Sequence, residues 1–320
     1  MTSLPHSRRV GLMAGALLLS AALAPQLAAQ NLFVSSTNTK SVIEYDGETG
    51  AFERKFARGG GLIEPEGLEF GPDGDLYVAS RSDEILRYDG EKGTFKGVFA
   101  SGHGLFDPAG IAFGPDGDLF VASGLTDDGQ GNNILRFDGA TGAFVAELDP
   151  NNSAGLDDPE ALAFGPDGLL YVSDTPEVGN GPVLRYDPAT NDFHSTFIPA
   201  AASIPDPTGM VFSPDGQFLF LSSAATSEVR KYNGATGAPL GVFVAPGGCG
   251  LNEAEGMVFL NGNLLVASEL SHEVIEFNGT TGACIGPFVT EGSGNLSEPT
   301  FMTLGPSDSD NDAFRFRKVR

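Results

Sequence analysis

One short phrase, written six times, constrains this chain more than any other feature. Phe70-Gly71-Pro72-Asp73-Gly74 recurs as Phe113-Gly114-Pro115-Asp116-Gly117, as Phe164-Gly165-Pro166-Asp167-Gly168 and as Phe212-Ser213-Pro214-Asp215-Gly216. A worn copy is Phe259-Leu260-Asn261-Gly262, and the last is Leu304-Gly305-Pro306. The spacings are 43, 51, 48, 47 and 45 residues. That period is the length of one four-stranded propeller blade.

Each repeat reads as four strands, A to D from the axis outward. In residues 67–100, strand A is Gly67-Leu68-Glu69-Phe70 and Pro72-Asp73-Gly74 makes the turn, Pro presetting φ and Gly accepting φ > 0. Leu76 to Ser80, rich in β-branched and aromatic residues, is strand B; Glu84 to Tyr88 is strand C; Thr94 to Phe99 is strand D. Helical periodicity is missing throughout the mature chain. The two ends explain each other. The mature chain starts inside a blade, with Asn31–Ser35 as a strand B, and Thr300–Leu304 is a surplus strand A. Joining them closes the ring and hides two edges. The expected fold is therefore all-β: a six-bladed propeller over residues 30–306, four antiparallel strands per blade, closed by the C-terminal strand in the N-terminal blade.

Arg8 and Arg9 precede an apolar run from Val10 to Leu23, followed by Ala28 and Ala29. This is the pattern of a signal peptide, residues 1–29, too short for a comfortable transmembrane helix. Ser7-Arg8-Arg9 leaves Sec and twin-arginine export both open. No later stretch could span a bilayer, so a secreted or periplasmic monomer is expected. With 18 Lys and Arg against 42 Asp and Glu, the net charge is −24. Nucleic acid and anionic lipid need a basic patch, so neither is expected as a partner. Residues 307–320 fall outside the ring and read as a disordered tail. Its Asp308-Ser309-Asp310-Asn311-Asp312 spaces acids like the start of a calcium loop but lacks that loop's Gly and closing Glu.

The stretch Pro65-Glu66-Gly67-Leu68-Glu69-Phe70-Gly71-Pro72-Asp73-Gly74-Asp75-Leu76-Tyr77-Val78-Ala79 resembles the NHL repeat, and also the blades of gluconolactonase/regucalcin-like and streptogramin-lyase-like six-bladed propellers. The resemblance covers residue 31 to about residue 306. In the gluconolactonase-like family a divalent cation sits at the top mouth of the channel, held in part by the residue between Pro and Gly at the start of strand A. Here that position holds Glu66, Ala109, Glu160, Thr208, Glu255 and Thr300. The resemblance thus implies Glu66, Glu160 and Glu255, on alternate blades, as ligands of calcium or another divalent cation. Three carboxylates converging there would repel, so either their pKa values rise or a cation neutralises them. The family's set mixes Glu with Asn and Asp, and this one does not. Glu160 is followed by Ala161, and Glu255 is preceded by Ala254.

The longest top loops are Gly124–Asn133 and Asp149–Asp158, with Thr175–Pro182 a third. Long loops on a rigid scaffold are where binding usually lives. Asp127, Asp128, Asn132, Asn133, Asp149, Asn151, Asp157 and Asp158 offer oxygen ligands to a second cation or a polar ligand. His103 and His272 also fall in top loops, either as bases above the channel or as solvated side chains; His194 falls on an outer strand. No histidine has zinc-site spacing. Glu69 is the one acid in a row otherwise filled by Ala112, Ala163, Val211, Val258 and Thr303. Arg87, Arg136, Arg185 and Lys231 recur on strand C, as ion pairs between blades or solvated groups. Cys249 is expected on top and Cys284 near the bottom, a strand's length apart, so no intramolecular disulfide is expected despite the oxidising compartment.

Two functions fit. One is an exported NHL-type scaffold that binds a protein, glycan or small polar ligand through its top face. The alternative is a calcium-dependent hydrolase or lactonase of the gluconolactonase-like type. No complete catalytic set is visible, which favours the scaffold.

Overall fold

A computed structural model describes Met1 and residues 30–125, 131–176 and 179–306. The described residues form six four-stranded antiparallel sheets in a ring. Blade 2 shows the plan: Pro65–Phe70 (A), Leu76–Ser80 (B), Glu84–Tyr88 (C) and Phe95–Ser101 (D). In blades 3 to 6 strand A is Pro108–Phe113, Pro159–Phe164, Met210–Phe212 and Ala254–Leu260. Blade 1 takes its inner strand, Pro299–Leu304, from the chain's end, where Leu304 pairs with Leu32 of strand B. The expected closure is what the chain adopts. The expected signal peptide beyond Met1 and the expected tail lie outside the described residues.

The repeated phrase holds its place for two reasons. Its Phe is the wedge between blades. Phe70, Phe113, Phe164, Phe212 and Phe259 each meet, edge to face, the strand B aromatic of the preceding blade: Phe33, Tyr77, Phe120, Tyr171 and Phe220. The centroids lie 5.0–5.4 Å apart, the preferred geometry for ring quadrupoles. Its Asp bonds its own turn: Asp73 Oδ1 accepts the Asp75 amide at 3.1 Å. Strand B lies between neighbouring blades, so every residue of Leu76–Ser80 is buried and the alternation of a one-sided strand is lost.

The strand C arginines pair mainly within their own blade. Arg87 bonds Asp73 and Asp75, and Arg136 bonds Asp116 and Asp118, all beside the A–B turn. Arg136 also donates to the Pro188 carbonyl and Asn191 of the next blade.

The cysteines overturn an expectation. Cys249 and Cys284 form a disulfide, with Cα atoms 5.6 Å apart. A count in strand lengths from top to bottom ignores the twist that accumulates from strand A to strand D. That twist swings the start of each outer strand onto the D–A loop of the blade before. Gly60 faces Phe95 in this way, His103 stacks on Phe144 at 4.5 Å, and Gly294 faces Phe52. Cys249 and Cys284 occupy the same two registers. The signal was in the repeat: Cys284 stands where other blades carry Phe52, Phe95, Phe144 and Phe193.

Candidate functional site at the channel mouth

The inner strands begin at the top mouth, and glycine sets how closely they approach. A Cβ on Gly67 would lie 2.4 Å from the Ala109 carbonyl oxygen, and one on Gly110 would lie 2.3 Å from that of Glu160. Only a bare Cα fits, so the residue before each glycine is held against the next blade. Serines of strand B fix the mouth backbone. Ser35 Oγ donates to the Glu66 carbonyl at 2.5 Å, and Ser222 Oγ donates to that of Glu255 at 2.8 Å.

Glu66, Glu160 and Glu255 are therefore set on one level of alternate blades. Glu66 and Glu255 are buried, and Glu160 is partly open. Glu160 feels Glu66, and Glu255 feels both. Burial pushes the Glu66 carboxyl up to about 7 against the pull of Arg81. Burial, then Asp158 and Glu66, push Glu160 well above the carboxylate range. Burial, then Glu269, Glu160 and Glu66, do the same to Glu255.

A second set of acids surrounds them. The residue immediately before the strand A proline, or before Ala254, is an acid in all six blades: Glu64, Asp107, Asp158, Asp206, Glu253 and Glu298. Five of these have left-handed backbones, with φ from 39° at Asp107 to 54° at Glu253. A non-glycine residue in that region carries strain, which concentrates at functional sites. Burial raises Asp107 and Asp206 as well. This ring was legible in the repeat and was missed, because the residue between Pro and Gly drew the attention and the one before Pro did not.

One guanidinium enters this field. Arg81 Nε lies 3.3 Å from Glu66 Oε1 and 3.2 Å from Asp107 Oδ1. Beside it, a rim cavity of about 210 Å³ is lined by Thr37, Lys40, Glu64, Glu66, Glu269 and Glu298, among others. Among the described residues, no three His, Cys, Asp or Glu side chains gather closely enough to hold a metal ion. As they stand, the three glutamates surround a mouth rather than close on a point.

The other candidate residues fall into separate places. Asp127 and Asp128 lie outside the described residues. Asn132 and Asn133 belong to strand C of blade 3, Gly131–Phe137, rather than to a loop. The Asp157 and Asp158 amides both donate to Asp174 Oδ1 at 2.9 Å. Asp149 Oδ2 accepts the Ala154 amide, so the long loop spends part of its polar capacity on its own shape. Asn151 is exposed.

The histidines have structural partners. His103 lies flat on Phe144. His272 Nδ1 accepts the Glu298 amide at 3.0 Å. Asp83 does the same for Asp107, and Ser227 for Glu253. His272 thus fills a recurring acceptor position that holds a rim acid of the following blade.

Fold and mouth together define a six-bladed β-propeller with an acid-lined entrance. No protein-family profile and no curated protein matches the sequence. Solved structures do resemble it. A structure of a nidogen–laminin complex gives a TM-score of 0.68 at 16% identity, over 87% of this chain and 98% of that one. A protein of unknown function from Bacteroides caccae gives 0.65 at 13% identity, over 86% and 98%. A putative gluconolactonase gives 0.57 at 16% identity, over 78% and 88%. At such identities the likeness establishes the propeller fold and leaves the chemistry to the site.

Proposed function

We propose that the protein is an exported binding propeller that receives a positively charged ligand at its top mouth. The observation that carries this is the ring of nine acids at the start of the inner strands, with Glu66 and Glu255 buried, Glu160 and Glu255 opposed by acidic neighbours, and the Arg81 guanidinium beside Glu66. Carboxylates held in that state gain from any cation that replaces their protons or spreads their charge. The Cys249–Cys284 disulfide supports export, because such bonds persist in oxidising compartments. No helix among the described residues is long and apolar enough to cross a membrane.

The calcium-dependent lactonase reading uses the same three glutamates. It requires them to close around one ion and to act with a general base. The likeness to a putative gluconolactonase favours it; the Arg81 pairing of Glu66 and the absence of a gathered triad among the described residues weigh against it.

Calorimetry with spermidine and, separately, calcium chloride tests both readings. Binding of spermidine that falls at least tenfold in the Glu160→Gln, Glu255→Gln double variant supports the cation mouth. No binding of either probe at millimolar concentration overturns it. Calcium binding coupled to turnover of a sugar lactone transfers the case to the hydrolase.

A further inference from the structure

Glu69 stands apart from the mouth. It lies further down strand A of blade 2, at the position held by Ala112, Ala163, Val211, Val258 and Thr303 in the other blades. Its side chain lines a central cavity of about 460 Å³, within the size range of small-molecule sites. It also lines a second cavity of about 380 Å³ that reaches Gln30, Pro72 and Pro306. The two share Glu69, Phe113 and Thr303, so the carboxylate sits where the channel meets the bottom face.

Apolar side chains, Leu68, Ile111, Leu162, Met210, Met257 and Met302, share its walls with polar groups of the inner strands. Among the described residues no Lys or Arg lines either cavity. Glu69 Oε2 accepts the Phe113 amide at 2.8 Å. Among the described residues no donor reaches its other oxygen. Each strand A pairs only with its strand B, so the inner edge of the ring turns backbone carbonyls and amides toward the channel. The other five blades show that the fold has no need of an acid here. Burial raises Glu69 to about 7, a standing cost that a bound cation would remove.

We propose that the lower channel is a binding site, separate from the mouth, for a small organic cation with an apolar body, a primary alkylamine, whose ammonium is seated on Glu69. The free carboxylate oxygen takes one N–H, edge carbonyls are placed to take the others, and the alkyl chain lies against Leu, Ile and Met side chains. The mouth offers charge without such walls; the lower channel offers one charge within them.

Hexylammonium, methylammonium and hexanol serve as calorimetric probes against the full chain. The wild type should bind hexylammonium at least tenfold more tightly than either of the others, since methylammonium lacks the apolar body and hexanol the charge. Glu69→Ala makes the position like blades 3 and 4, so the ring should fold, and hexylammonium binding should fall at least tenfold. Glu69→Gln preserves shape and should fall equally. Ala163→Leu leaves the carboxylate in place, narrows the cavity, and should weaken hexylammonium while sparing spermidine. Hexylammonium binding that survives Glu69→Ala, or that is lost in the Glu160→Gln, Glu255→Gln double variant instead, overturns the lower site and assigns the amine to the mouth. No hexylammonium binding at millimolar concentration also overturns it, whatever spermidine does.

Discussion

The two faces of the ring carry the same sign of charge and treat it in opposite ways. At the bottom, the acids of the A–B turns are matched. Asp116 and Asp118 bond Arg136, and Asp73 and Asp75 bond Arg87, with Lys96 on Asp75 as well. At the top, Glu160 and Glu255 have acidic neighbours as the main charges around them. The bottom acids make the turn and brace the blade. The top acids cost stability where they stand, and a fold keeps such a cost where function needs it.

The largest expected effect concerns what holds the top rim in place. Cys284→Ser removes the bond from the loop that leads to Glu255 and should cost about 4 kcal/mol, given the 35-residue separation. Chemical denaturation with and without reductant measures it; an unchanged midpoint would refute the latch.

Next is pH, where the two faces should part. Glu66 and Glu69 hold their protons up to about 7 when folded and release them near 4.5 when unfolded. A carboxyl raised in this way adds stability that is complete below about pH 4.5. That stability is lost as pH rises through about 7, because the folded chain then binds the extra proton no longer. The melting temperature should therefore fall between pH 5 and pH 7.5, by roughly 5 °C or more. Glu66→Gln and Glu69→Gln should each flatten the slope, and a wild-type protein with no slope would argue against enclosed, unpaired acids.

Single substitutions should then differ in sign between the faces. Arg136→Ala strands Asp118 and frees the Pro188 carbonyl, and should destabilise by roughly 2 kcal/mol. Glu160→Gln replaces a carboxyl whose ionisation its burial and acidic neighbours oppose by a neutral amide, and should stabilise by roughly 1 kcal/mol at alkaline pH, while weakening spermidine. If both changes destabilise, the contrast between the faces fails. The smallest effect is expected at Arg185, which lies 3.5 Å from Asp167. Arg185 also donates to Ser195 and lies over Tyr171 and Phe197, so Asp167→Asn isolates the ion pair and should cost under about 1 kcal/mol; a larger loss would show that distance is a poor guide to these pairs.

Much of this was written in the repeat. The Phe-Gly-Pro-Asp-Gly phrase gave the blade count because each copy does one local job, a turn plus a wedge. The surplus strand at Thr300–Leu304 gave the closure because an unpaired edge has one economical partner. The disulfide was not legible from lengths alone, since the twist of a blade is a property of the assembled sheet. Arg87 and Arg136 showed their register and hid their partners, because the A–B turn folds back beside strand C of the same blade. Glu69 was visible as an odd residue in an apolar row. That it lines two joined cavities with no described Lys or Arg in their walls required the ring.

The closure by Pro299–Leu304 also sets an order of events. Gln30 Nε2 donates to the Gly305 carbonyl across 275 residues of sequence, and synthesis delivers the first blade's inner strand after every strand of blades 2 to 6. Until then the ring is an open arc, with an unpaired edge at Leu32–Ser36 and the apolar face that blade 6 packs against blade 1 uncovered. Contacts of such long range slow folding and leave edges exposed to other chains. A helper that shields one strand edge for that interval should raise yield more than one that speeds any single blade.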